Sequence, residues 1–201
     1  MTLPRFVVPA GTLLQHVSRT RYRGTALHFG CDATCRYDAP DKSYGVLYLG
    51  FDLATALMES VFHKHRWSRR GRRNISQAEV SARMVRAVGS VVAIELMDLT
   101  APGAVVRHFG LNLTQLASRR YVHTQRISKE VWELRDHAGT QIFDGILYPS
   151  RNNYPEACIA LFESARPKVT LVDDIDLADH VEWPQFVVDY KIGVVRPYAR
   201  A

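Results

Sequence analysis

The stretch that decides the fold is "CRYDAPDKSYGVLYLGFDLATALMES", residues 35–60. It reads as a polar loop, a short apolar strand over 46–49, a tight connection and a helix over 53–63. Asp52 stands just before the helix, where its carboxylate can cap free backbone amides. On a helical wheel Leu53, Ala56, Leu57 and Val61 form one apolar stripe, and Ala54, Met58 and Phe62 cover much of the other side. A helix that is apolar nearly all round is usually buried. Glu59 then lies either on a narrow exposed seam beside Thr55 or in a cleft, where it needs hydrogen-bond donors or a cation. Arg36 is two-valued in the same way, as a solvent-facing loop residue or a functional one. Tyr48 reads as a core tyrosine whose hydroxyl finds a partner.

Outward from this segment, short apolar runs alternate with helical stretches, which gives a mixed α and β protein. Further strands are expected over 90–96, 145–148, 158–162 and 169–172, and further helices over 76–85, 113–118, 128–136 and 174–178. Ser76 and Glu79 have capping-box spacing, and Pro102 with Gly103 ends the segment after the 90–96 strand. The tail "VEWPQFVVDYKIGVVRPYARA" reads as a terminal strand pair or a surface arm. No linker or repeat interrupts the chain, so residues 1–201 are read as one domain.

The composition, 47% hydrophobic and 23% charged over 201 residues, is enough for one globular core. Pro4 and Pro9 break up the N-terminus, and no window reaches the ~20 apolar residues of a membrane helix, so a cytoplasmic protein without membrane contact is expected. Cys31, Cys35 and Cys158 are odd in number and lack a second Cys/His pair at zinc spacing; reduced, partly buried thiols and no metal are expected. The net charge of +6 is concentrated in "HKHRWSRRGRRN", residues 63–74. Such a run can hold nucleic-acid phosphates or dock an acidic protein. With one aromatic, Trp67, and no nucleic-acid motif around it, a solvated surface is the preferred reading.

A second polar cluster ends an apolar run at "FDGILYPSRNNYPEACIALFES", residues 143–164, where a rigid strand meets solvent. Together the two segments resemble the RES-domain family, named for an arginine, a glutamate and a serine. The first block is Arg36-Tyr37-Asp38-Ala39-Pro40, then Val46-Leu47-Tyr48-Leu49, then Ala56-Leu57-Met58-Glu59. The later block is Asp144-Gly145-Ile146-Leu147-Tyr148-Pro149-Ser150-Arg151, followed by Ala160-Leu161-Phe162. Asp98-Leu99-Thr100 and Tyr121 with Thr124-Gln125 are similar to landmarks between them. The resemblance spans roughly residues 12–165 and leaves 166–201 as a C-terminal extension of the same domain. Thr34 and Cys35 stand where the family usually has glycines, and His16 occupies the place of a family arginine, with Arg19 and Arg21 nearby. The basic run has no counterpart.

The resemblance implies an α+β, ADP-ribosyltransferase-like fold with a mixed or antiparallel sheet core and flanking helices. It implies the toxin of a toxin–antitoxin pair, degrading NAD by breaking the nicotinamide–ribose bond. The acceptor would be inorganic phosphate, making an NAD phosphorylase, or otherwise water, making a glycohydrolase. On this reading Glu59 stabilises the developing ribose cation, Arg36 holds phosphates and Tyr48 offers a ring face and a hydroxyl. Ser150 bonds the nicotinamide amide or a phosphate oxygen; outside the family motif, Arg151 or the basic run is a candidate for holding phosphate. Nicotinamide leaves neutral, so neither a metal nor a cofactor beyond the substrate NAD is called for. A cognate antitoxin is the implied partner, its acidic segment suited to the basic surface, and a homo-oligomer is compatible with this reading. The rival readings are transfer of ADP-ribose onto a macromolecule in the same pocket, and a non-enzymatic nucleic-acid-binding module using residues 63–74.

Overall fold

The strand expected at 46–49 is the centre of the sheet. In the computed structural model, which describes residues 3–64 and 73–196, Val46–Gly50 alternates its side chains between two packed layers. Val46 and Tyr48 face a core built with Tyr37, Phe143, Ile146, Ile127 and Phe162. Leu47 and Leu49 face a second core with Leu14, Val88, Leu96, Ile159 and Leu161. A strand covered on both faces loses the polar alternation of an exposed sheet, which is why this run is uniformly apolar.

The strands are β1 (Arg5–Val8), β2 (Leu13–Arg19), β3 (Val46–Gly50), β4 (Arg73–Ser76), β5 (Arg83–Ser90), β6 (Ile94–Asp98), β7 (Gly145–Pro149), β8 (Ala157–Phe162), β9 (Val169–Asp176) and β10 (Ile192–Val195). The helices are α1 (Leu53–Ser60), α2 (Gln77–Ser81), α3 (Ala104–Phe109), α4 (Leu113–Leu116), α5 (Val122–Glu133) and α6 (Trp183–Asp189). Eight strands form one sheet in the order β1-β6-β7-β8-β3-β2-β5-β9, and β10 pairs with β4 separately. Within the large sheet β6 and β7 run parallel and the other neighbours antiparallel. The expected α+β class, with a mixed, mostly antiparallel sheet and flanking helices, is the class observed. No helix among the described residues is long and apolar enough to cross a membrane.

Two close approaches bring the later site together. A Cβ on Gly50 would lie 2.7 Å from the Ala56 amide nitrogen, so glycine lets α1 fold back directly from the end of β3. A Cβ on Gly145 would lie 2.4 Å from the Ala160 carbonyl oxygen, so β7 packs flush against β8. Asp52 caps α1, accepting from the Thr55 amide at 2.6 Å, as its position before the helix implied.

Several sequence expectations give way. The strand expected at 90–96 is two strands joined at Val91 and Val92, which are 51% and 48% exposed. The helix expected at 76–85 ends at Ser81, although Ser76 caps it from Glu79 at 3.1 Å. Arg83–Ser90 is instead a strand held between β2 and β9, where two ladders override local helix preference. Helix α5 begins at Val122 rather than 128, and 174–176 continues β9 before a 3-10 turn at Leu177–Asp179. The helix expected at 53–63 closes as α at Ser60 and finishes in a 3-10 turn. The tail is neither a strand pair nor an arm: α6 buries Trp183 and Phe186 against Leu57 and Phe62, and β10 lies along β4.

Candidate active site

Glu59 sits in the last turn of α1, half-buried, and the end of β7 is brought to it. Its Oε1 accepts from the Ser150 hydroxyl at 2.8 Å and from the Arg151 backbone amide at 2.9 Å. Ser150 is oriented for this, because its Oγ accepts from the Asn153 amide at 3.0 Å and so sends its hydrogen to Glu59. The segment after β7 is also pinned to α1. Asn153 Nδ2 donates to Thr55 Oγ1 at 3.1 Å and Asn152 Nδ2 to the Met58 carbonyl at 3.4 Å. Both protein donors fall on Oε1; Oε2 makes no hydrogen bond among the described residues. Of the two positions open to Glu59 from periodicity, the structure takes the cleft.

Arg36 is buried at 6% exposure, far from the usual state of a loop arginine. Its NH2 donates to the Leu116 carbonyl at 2.9 Å and its NH1 to the Pro149 carbonyl at 3.4 Å. The guanidinium carbon lies 5.2 Å from the Tyr148 ring centre and 5.4 Å from that of Tyr37. Its Nε is buried with no partner, and among the described residues no carboxylate forms an ion pair with it. A desolvated cation in that state has its charge balanced by carbonyl dipoles and ring faces rather than by a carboxylate.

The loop before β3 is held by Asp38. One carboxylate oxygen accepts from the Thr34 and Cys35 amides at 2.9 and 2.7 Å, and the other from the Tyr48 hydroxyl at 2.9 Å. That hydroxyl in turn accepts from the Tyr37 amide at 2.8 Å. Burial, followed by the Asp38 charge, pushes the Tyr48 phenol well above its ordinary value, so it stays protonated as a donor. From the other side Gln125 Nε2 donates to the carbonyls of Ala33 and Cys35, each at 3.0 Å. Together these bonds fix the backbone on either side of Arg36.

These groups converge on a cavity of about 290 Å³. Glu59, Arg36, Tyr48 and Arg151 line it, together with His16 and Tyr121. Ser150 does not: at 2% exposure it stands behind Glu59, with its hydroxyl spent on the carboxylate rather than offered to a ligand. Arg151 donates NH1 to the Ala117 and Ser118 carbonyls at 3.0 and 3.2 Å, and its guanidinium carbon is 5.9 Å from the Tyr121 ring centre. Sequence reasoning placed Asp38, Tyr121 and Gln125 within motifs without a role, and gave Tyr148 none. An acid two residues after a buried arginine was the legible signal for the first of these. Tyr148, which also lines the cavity, had no comparable signal.

The basic run is not a uniform surface feature. His63 lines the cavity, and Arg73 is buried in β4 with NH1 3.1 Å from the Met58 sulfur; residues 65–72 lie outside the described residues. Burial lowers the Arg73 pKa. Cys31 and Cys35 are exposed rather than partly buried, whereas Cys158 is buried and its thiol is pushed up by that burial.

Comparison with known proteins bears on the fold and the family. Among curated proteins, none matches the chain in sequence. A chain in the crystal structure of the M. tuberculosis MbcT–MbcA toxin–antitoxin complex matches in fold, with a TM-score of 0.60 at 14% identity, over 85% of this chain and 86% of that one. The family model of the RES domain matches residues 13–184, which carries the family past residue 165 and takes in β9 and the start of α6. Arg36 and Glu59, which line the cavity, and Ser150, which stands behind Glu59, all lie inside that match, and the chain belongs to the RES-domain family.

Proposed function

We propose that this protein is the toxin of a toxin–antitoxin pair and that it depletes cellular NAD by cleaving the nicotinamide–ribose bond. The observation that carries the reading is Glu59: a carboxylate fixed through one oxygen by Ser150 and Arg151, with the other oxygen left for a ligand, beside a buried Arg36 with no carboxylate partner among the described residues. Cleavage of an N-glycosidic bond passes through an oxocarbenium-like ribose. A carboxylate preorganised against that ribose stabilises the positive charge as it forms and needs no rearrangement to do so. Nicotinamide departs as a neutral molecule, carrying the electron pair of the broken bond, so the protein need not protonate it.

A cavity of about 290 Å³ is at the small end for ligand sites, which begin near 300 Å³. It suits the nicotinamide and its ribose, with the pyrophosphate toward the guanidiniums of Arg36 and Arg151 and the adenosine outside. Tyr48 contributes its ring face, since its hydroxyl is held by Asp38. The acceptor is inorganic phosphate or water, giving a phosphorylase or a glycohydrolase. The reading places the enzyme in the cytoplasm, where NAD is held. It also calls for an antitoxin that covers the cavity, in keeping with a fold neighbour that comes from a toxin–antitoxin complex.

Induced expression in a bacterial host tests the reading. Wild-type protein is expected to collapse cellular NAD before growth stops, and Glu59→Gln expressed to the same level is expected to do neither. Growth arrest with NAD intact would overturn it.

A further inference from the structure

Resting on that NAD-cleaving reading, we propose that His16 is the general base of the site and that the nucleophile it serves is water. His16 belongs to β2, on the far side of β3 from Ser150, yet it lines the same cavity as Glu59. Its Nδ1 lies 2.9 Å from the Tyr48 carbonyl oxygen. A carbonyl only accepts, so Nδ1 carries the hydrogen and the neutral ring keeps its lone pair on Nε2. Nε2 makes no hydrogen bond among the described residues. The same strand that supplies the Tyr48 ring therefore fixes the imidazole tautomer, leaving an unspent acceptor at the cavity.

The surroundings favour the neutral ring. Burial lowers its pKa below 6.5 most, against the raising effect of the Tyr48 carbonyl; the Arg86 and His28 charges lower it further, and Asp174 opposes them. Asp174 is already bonded to Arg86 Nε at 2.8 Å. On the cavity side the carboxylate, guanidinium and imidazole neighbours are Glu59, Arg36, Arg151 and His63, and the thiols of Cys35 and Cys158 and the phenols of Tyr48, Tyr121 and Tyr148 also line it.

In the step, the bond from ribose C1′ to nicotinamide breaks with its electron pair leaving on nicotinamide. A water oxygen bonds C1′, and the water proton passes to His16 Nε2 and then to solvent. One NAD and one water give ADP-ribose, nicotinamide and one proton. Phosphate fits this arrangement less well. It arrives anionic and needs no base, but it needs cations of its own. Arg36 and Arg151, the cavity's guanidiniums among the described residues, each spend donors on carbonyls and face the pyrophosphate of the substrate.

The full chain is incubated with NAD in phosphate-free buffer and in excess inorganic phosphate, and products are followed by proton NMR. ADP-ribose and nicotinamide are expected in both, at equal rates, with kcat/KM falling on the acid side as Nε2 is protonated. His16→Asn, which retains an amide donor for the Tyr48 carbonyl, is expected to slow nicotinamide release at least about 10²-fold and to lose the acid limb. Azide, which needs no deprotonation, restores release in the variant and yields the ribosyl azide. A phosphorylated ribose product, label on a macromolecule, a variant with near wild-type rate, or a slow variant that azide does not rescue would each overturn the assignment. Should His16→Asn not fold, the wild-type products and acid limb still decide it. Wild-type protein that releases no nicotinamide at all removes the NAD reading itself, whereas release with a phosphorylated product leaves that reading standing and removes only the base.

Discussion

Replacing Glu59 with glutamine removes one charge and almost nothing else. The amide oxygen can still accept from Ser150 Oγ and the Arg151 amide, now held at 2.8 and 2.9 Å. Charge-assisted bonds are roughly twice as strong as neutral ones, so the loss of fold stability is about 1 kcal/mol, or about 2–4 °C in a chain of this size. Transition-state stabilisation falls much further. A unit positive charge about 4 Å from the carboxylate is worth about 4 kcal/mol at an effective dielectric of about 20. At 1.36 kcal/mol per decade this is close to 10³-fold in rate, and partial solvent screening at a half-buried group brings the expectation to about 10²–10³-fold. The assay is initial-rate release of nicotinamide from NAD, with thermal melting on the same preparations. Glu59→Gln that melts within a few degrees of wild type and keeps more than about a third of its rate would refute the electrostatic role.

Tyr48→Phe strands Asp38 Oδ1 and the Tyr37 amide without their hydroxyl partner, at a cost of about 1–3 kcal/mol that urea titration will register; an unchanged midpoint would contradict the clamp. Arg36→Lys keeps the charge but cannot supply the same fork to two carbonyls, so KM for NAD is expected to rise at least tenfold, read from steady-state kinetics. Asp174 is expected to govern part of the acid stability. Burial raises its carboxyl pKa, but the Arg86 hydrogen bond, the Gly24 amide and the Arg86 charge outweigh it and hold the pKa below 3.8. A depressed carboxyl contributes stability above its unfolded pKa, near 3.9, and loses it as pH falls through the folded value. Asp174→Asn should therefore lower stability at neutral pH and flatten its loss below about pH 4, measured by denaturant midpoint against pH.

The parts of this architecture that were legible in the sequence are those where one element explains its own pattern. β3 and α1 are buried nearly all round and carry their cap in Asp52, so 35–60 could be read almost to the residue. β5 was not legible, because Arg83–Ser90 takes its state from β2 and β9 on either side, and its buried Arg86 is satisfied by distant partners, Asp174 on β9 and the Thr25 and Ala26 carbonyls. The split of 90–96 was hidden because Val91 and Val92 are apolar yet exposed in a turn. Glu59 and Arg36 could be singled out as out of character with their surroundings. Periodicity could not say that Ser150 stands behind the acid, since a bond across 91 residues leaves no local trace. His16 was visible as a substitution; that its Nδ1 is tied to the Tyr48 carbonyl depends on how β2 lies beside β3.

The measurement that bears most directly on the whole account is a proton NMR time course of NAD mixed with the purified wild-type chain. Nicotinamide resonances growing in step with the loss of the NAD signals, at a rate proportional to protein and slowed about 10²–10³-fold in Glu59→Gln, are the predicted result. NAD that remains intact over hours with folded protein, with and without phosphate, would contradict the claim that this cavity cleaves the nicotinamide–ribose bond.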